Sequence, residues 1–286
     1  QIENFSDGTA SVNDCFKPVS RYFDRIMRPE QLLTALPRAF RVMTDPADCG
    51  PATISLCQDV QAEAFDFPMS FFKTKKWLMR RLSPDVNEVE IATSLIKGAK
   101  LPVIIAGGGT HYSKATSRLQ KFSELHEIPV VETQAGKSSL PWNHPLNFGP
   151  VGVTGSEAAN SICEKADVIL GVGTRFQDFT TGSWSLFKNK DRQLISLNIA
   201  AYDATKHGAV PLLADALVGL SSLSEKLGEH KAKKPPQGLK NDWFRKVDEL
   251  TQSPVTKNSL ATDMQVIGAV QRSAQDNTVV MCAAGT

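Results

Sequence analysis

The chain lacks paired cysteines: its five, at 15, 49, 57, 163 and 282, are odd in number, scattered, and never form a Cys-x-x-Cys. That pattern argues against a disulfide framework or a zinc ribbon and fits a reducing, cytoplasmic setting. The five histidines, at 111, 126, 144, 207 and 230, show no metal-ligand spacing. No apolar run approaches the roughly 20 residues that cross a bilayer, and Gln1-Ile2-Glu3-Asn4 is not the start of a secretory leader, so no membrane partner is expected. Neither sign of charge dominates: 32 basic and 30 acidic residues leave a net of +2, which makes nucleic acid an unexpected partner. The local basic clusters, Lys73, Lys75, Lys76, Arg80 and Arg81, then Lys231, Lys233 and Lys234, read as solvated connections. A Gly-x-Ser-x-Gly elbow is also missing, which removes one way of presenting a nucleophilic serine.

What is present is length and alternation. The chain has 286 residues, 41% hydrophobic, more than one domain of roughly 100–200 residues requires. Between Pro84 and about Gly228, five short apolar runs (102–106, 128–131, 167–171, 194–199, 210–213) alternate with helical patterns. The helices are expected from Asp85, over Ala115–Leu125, over Glu157–Lys165 behind an N-cap at Ser156, and over Ala214–Leu227. This predicts an α/β, doubly wound parallel-sheet domain of Rossmann-like type. Before it, Pro29 stands at the start of a helix carrying Leu32, Leu36, Ala39, Phe40 and Met43, and Ala52–Leu56 is a candidate strand. After it, Gly228–Gly238 has linker composition, and helices over 242–250 and 259–273 with a strand over 278–282 look like the opening of another α/β unit. That strand runs into Gly285 with nothing behind it, which predicts a chain cut from a longer protein.

The densest polar loop follows the run Asp167–Leu170: Gly171 and Gly173, then Arg175, Gln177, Asp178, Thr180 and Thr181, at the presumed carboxyl edge of the sheet where open α/β folds bind ligands. An ordinary loop with Arg175 paired to Asp178 is the alternative. Gly107-Gly108-Gly109 sits between strand and helix, as a phosphate-binding turn would, but the third small position of a dinucleotide fingerprint falls on Tyr112. Glu132, ending the next strand, could meet a ribose. Gly136-Lys137-Ser138 lacks the first glycine of a P-loop, because position 131 is Val.

Several runs carry a resemblance. Thr44-Asp45-Pro46-Ala47-Asp48-Cys49-Gly50-Pro51, Gln58-Asp59-Val60, Asn147-Phe148-Gly149-Pro150-Val151-Gly152-Val153-Thr154-Gly155 and Gln177-Asp178-Phe179-Thr180-Thr181-Gly182-Ser183-Trp184 resemble the thiamine-diphosphate-dependent enzymes over nearly the whole chain. The matching branch hydrolyses a carbon–carbon bond of a cyclic dione in inositol catabolism. The acetohydroxyacid synthases share the Arg175-Phe176 and Asp178 frame but not the Thr-Gly-Ser-Trp ending. The sequence departs from the family at Cys57, usually proline, and at Ser138-Ser139, usually small residues such as glycine and alanine.

The resemblance implies residues 1–66 as the end of a pyrimidine-binding domain, 67–83 a connection, 84–228 the central Rossmann-like domain, 229–241 a linker and 242–286 the start of a diphosphate-binding domain. It implies a parent enzyme with thiamine diphosphate and Mg²⁺, whose thiazolium carbanion adds to a ketone so that water can open the ring to 5-deoxyglucuronate. It also implies a homodimer or homotetramer acting on a small cyclic dione. The activating glutamate falls before Gln1 and the metal ligands after Thr286, so no residue here is assigned as catalytic or as a metal ligand, and the chain alone is expected to be inactive. Gly152, Thr154, Gly155, Arg175 and Asp178 are implied cofactor-binding positions, matching an adenine-dinucleotide groove of flavin-bearing relatives, and Gly285 would approach the diphosphate. A flavin-bearing carboligase of the acetohydroxyacid-synthase kind and a non-catalytic nucleotide-binding module are the alternatives.

Overall fold

A computed structural model describes residues 5–256 and 259–281; Gly285 and Cys282 lie outside them. Two strands come first, β1 (Tyr22–Ile26) and β2 (Ala52–Leu56), joined by helix α1 (Leu32–Met43). They pair in parallel, from Tyr22 opposite Ala52 to Ile26 opposite Leu56. Pro29 falls in a 3-10 turn, Pro29–Gln31, that leads directly into α1. Behind these elements lies a small core of Ile26, Ala35 and Val60.

The second sheet has six parallel strands: β3 (Pro102–Ala106), β4 (Val130–Glu132), β5 (Asn147–Pro150), β6 (Val168–Val172), β7 (Gln193–Asn198) and β8 (Val210–Leu213). Their spatial order is β5-β4-β3-β6-β7-β8, so the chain reverses direction between β3 and β6. Around it stand α2 (Val86–Gly98), α3 (Gly109–Tyr112), α4 (Thr116–His126), α5 (Glu157–Lys165), α6 (Asp178–Thr181), α7 (Ala201–Thr205) and α8 (Ala216–Leu227), followed by α9 (Gln237–Gln252) and α10 (Asp263–Ser273).

Strand residues alternate between two cores, as the twofold period of a strand demands. Ile104, Val130 and Leu170 face α2, α4 and α8, with Leu119, Phe122, Leu220 and Leu223. Val103, Ile105, Val131 and Ile169 face α5, with Ala158, Ala159 and Ile162, and partly buried Leu239 and Trp243 of α9 join that side. Both faces are covered, which is why these strands read as continuous apolar runs. Side-chain caps fix the helix starts: Asp85 accepts the N–H of Asn87 at 2.8 Å, and Ser156 accepts that of Ala159 at 3.1 Å. Asp215 caps α8 and also takes Arg81 at 2.7 Å, which ties the connecting segment to the sheet.

Four expectations need correction. The sheet has six strands rather than five, because β5 contains Gly149 and Pro150 and reads as a turn; it lies at the sheet edge, where a residue without an N–H is tolerated. β1 also went unread, and it places a strand where only a helix and one strand are expected. The expected strand over 278–282 is absent over its described part: Val279 and Met281 are 84% and 91% exposed, with no neighbouring strand to bond. Finally, α9 begins at Gln237, inside the range assigned to a linker, directly after Pro236. Lys240, within that range, is buried there.

Candidate functional site

The reversal between β3 and β6 creates the crevice where an open α/β sheet ordinarily takes its ligand. Here the backbone closes it. Gly107 donates its N–H to Val172 O at 2.8 Å, and Gly109 donates to Gly173 O at 3.0 Å. Gly173 has φ +61°, and a Cβ on it would lie 2.5 Å from the Gly109 Cα. Two of the N–H groups that could have cradled a phosphate are therefore spent on the fold itself.

The two polar loops grip each other in the same manner. Gly152 has φ +122°, and a Cβ there would stand 2.3 Å from Phe179 O. Val153 donates its N–H to that same carbonyl at 2.9 Å. From α5 the Asn160 side chain clamps one residue twice, accepting Gly152 N–H and donating to Gly152 O, each at 3.0 Å. Gly155 donates its N–H to Gly152 O at 2.9 Å. In the second loop, Phe176 is buried at φ +49° beneath Gly171, and Trp184 at φ +67° packs near Phe176, Phe187 and His207. The Arg192 guanidinium lies 5.3 Å from the Trp184 ring centre. The Gly-Ser-Trp ending thus secures the loop by packing.

Beside these loops, between the carboxyl ends of β4 and β5 and the side of α9, opens a cleft of about 320 Å³. Its walls include five aromatic residues, Trp142, Phe148, Phe179, Trp243 and Phe244. Trp142 and Phe179 are 73% and 58% exposed, and the Trp142 and Phe244 ring centres are 6.0 Å apart. Among the polar residues, Glu132 is buried and accepts Leu140 N–H at 2.9 Å, while Gln134, Lys137, Thr154 and Gln177 line the opening. Helix α9 is held in place by three bonds: Gln237 to Pro145 O at 3.3 Å, Lys240 to His144 O, and Lys246 to Glu157. The Lys240 ammonium lies 5.4 Å from the Phe244 ring centre, and its burial lowers its pKa below the ordinary lysine value.

Of the positions implied by resemblance, Thr154 alone lines this cleft; Gly152 and Gly155 sit inside the loop clamp. Arg175 is exposed and reaches Gln177 at 3.4 Å, not Asp178, so the alternative of an Arg175–Asp178 pair does not form. Asp178 opens α6 and is exposed. Gly285 is outside the described residues. Glu132, read as a possible ribose partner, does reach the cleft. The aromatic walls went unread: Trp142 lies in a loop without periodicity, and Trp243 and Phe244 belong to a helix that comes after the sheet. Their only signal was large rings beside polar residues, Trp142 before Asn143 and the pair Trp243-Phe244 between Asp242 and Arg245. Among the described residues, no three His, Cys, Asp or Glu side chains converge to hold a metal. No helix of the described residues is long and apolar enough to cross a membrane.

Residues 89–223, which take in this sheet with its reversal point and paired loops, match the family described as the thiamine pyrophosphate enzyme central domain. Curated relatives extend the likeness beyond the domain. The whole chain is 40% identical over 316 aligned residues to a 3D-(3,5/4)-trihydroxycyclohexane-1,2-dione hydrolase of Clostridium tetani, covering 48% of that protein. A hydrolase of the same name from Geobacillus thermodenitrificans is 40% identical with the same coverage, and one from Bacillus cereus is 47% identical over 80% of this chain and 36% of its own length. The chain therefore spans about half the length of the first two of these relatives.

Proposed function

We propose that this chain is the middle portion of a thiamine-diphosphate-dependent hydrolase that opens the carbon–carbon bond of trihydroxycyclohexane-1,2-dione to 5-deoxyglucuronate in myo-inositol catabolism. The observation that carries the reading is the reach of the identity, which takes in 100% of the chain, the segments outside residues 89–223 included. A likeness confined to the central domain would have supported only a shared scaffold.

The division proposed is the one implied by resemblance: 1–66 ending a pyrimidine-binding domain, 84–228 the central domain, 242–286 opening a diphosphate-binding domain. Thiamine diphosphate and Mg²⁺ are proposed for the whole enzyme, together with a homodimeric or homotetrameric assembly in the cytoplasm. The described residues hold no convergent metal-ligand set, so they do not fit the metal and no chemical step is derived from them. Their part is structural: the clamp of Gly152 by Asn160 and the closed turn at Gly107–Gly109 make a rigid platform between the proposed flanking domains.

The test is an assay of the protein in its complete natural reading frame, with thiamine diphosphate and Mg²⁺. Ring opening that depends on both supports the reading. Formation of acetolactate from pyruvate, or a bound flavin, would replace it with the carboligase. The 286-residue chain alone is expected to show neither turnover nor micromolar affinity for thiamine diphosphate with Mg²⁺, measured by calorimetry.

A further inference from the structure

We propose that the cleft between β5 and α9 binds a neutral polyhydroxylated molecule, a polyol. Its volume of about 320 Å³ is near the lower end for small-molecule sites and suits a six-carbon ring or chain. Its walls and its charge then restrict the class of ligand.

The exposed faces of Trp142 and Phe179 give flat apolar surfaces on which the C–H face of a polyol can rest. Around them, the side chains of Gln134 and Thr154 make no hydrogen bond among the described residues, and Gln177 accepts only from Arg175 at 3.4 Å. Amides and hydroxyls each offer a donor and an acceptor, which is also what every hydroxyl of a polyol offers.

Charge disfavours the other classes. Glu132, 7% exposed, has one oxygen engaged by Leu140 N–H at 2.9 Å, and the Lys137 ammonium makes no hydrogen bond among the described residues. The cleft thus has one charge of each sign. A phosphorylated ligand needs a cluster of cations or free N–H groups. Here the Gly107 and Gly109 N–H groups are spent on carbonyls, and Arg175 does not line the cleft. An organic cation would gain from Glu132 but be repelled by Lys137. A hydroxyl can donate to the first and accept from the second.

The test uses the full chain and follows tryptophan emission and calorimetry with myo-inositol as the probe, against ADP, inorganic phosphate and glycerol. Saturable binding of myo-inositol is expected, unaffected by phosphate or ADP, and about tenfold weaker in Trp142→Ala, since truncating a central aromatic anchor removes much of its contact. Trp142 is 73% exposed, so that variant is expected to melt like the parent chain. Thr154→Val, which removes only a hydroxyl, is expected to weaken binding as well. A linear response shared with glycerol, binding unchanged in both variants, or binding of ADP that displaces the polyol would each overturn the proposal. Neither thiamine cofactor nor turnover enters this measurement, so its result stands apart from the activity assay.

Discussion

The two parallel sheets of this chain differ in what covers them. In the six-stranded sheet, β3 and β6 are buried at every residue, with helices on both faces. In the two-stranded sheet, β1 and β2 are mostly half-buried, and Phe40 and Met43 of α1, with Leu56 at the end of β2, remain 45%, 42% and 46% exposed. Both pair in parallel, with a register shift only between β4 and β5, at Val130 and Glu132. Pairing alone therefore does not make a core; apolar area removed from water on both faces does.

The largest effect that separates the two sheets is expected from truncation. Ile104→Ala, at a fully buried position of β3, is expected to cost about 2–5 kcal/mol and lower the main thermal transition, read by calorimetry. Ile26→Ala, equally buried but in the small core, is expected to release residues 22–62 to proteolysis while the main transition holds. Equal shifts in the main transition would mean that the two sheets unfold as one.

Next comes the loop clamp. Gly152→Ala combines a positive φ with a Cβ 2.3 Å from a carbonyl, and is expected to cost about 2–4 kcal/mol by denaturant melts. Asn160→Ala removes both bonds to the Gly152 peptide and is expected to cost about 1–3 kcal/mol. Among the described residues no comparable clamp holds the two-stranded sheet, so protease resistance of residues 22–62 is expected to be unchanged in either variant.

What could be read in advance follows the same division. The run at 102–106, the helix start at Asp85 and the N-cap at Ser156 were legible because a fully buried strand and a helix start each leave a local pattern. β5 was not legible, since Asn147-Phe148-Gly149-Pro150 has turn composition and only its place at the sheet edge makes it a strand. The candidate site was half legible. Glu132 ends a strand that local pattern finds and Thr154 was implied by resemblance, whereas Trp142, Trp243 and Phe244 meet only because α9 folds back across the sheet. A docking of that kind rests on contacts distant in sequence, such as Lys240 to His144 and Lys246 to Glu157, which no spacing encodes.

A smaller, pH-dependent effect belongs to the six-stranded unit. His126 is fully buried at the end of α4; its Nδ1 donates to His230 O at 2.7 Å, and its Nε2 accepts from Ser224 Oγ at 3.1 Å. Burial lowers its pKa from the ordinary 6.5, and the His230 carbonyl bond only partly opposes that. Above 6.5 the imidazole is neutral in both folded and unfolded chains. As pH falls below 6.5, the unfolded chain takes up a proton that the folded site resists, so stability falls until pH passes the lowered folded value and then levels off. Melts between pH 7.5 and about 5 are expected to show this decline, and His126→Gln is expected to remove its share of it.

The most direct measurement is hydrogen exchange of the intact chain, read segment by segment by mass spectrometry. Covering both faces of the central sheet should make residues 102–106, 168–172 and 193–198 exchange only through global unfolding, with residues 22–26 and 52–56 exchanging about a hundredfold faster through local opening. Equal protection of the two sheets, or faster exchange in the central one, would contradict the account.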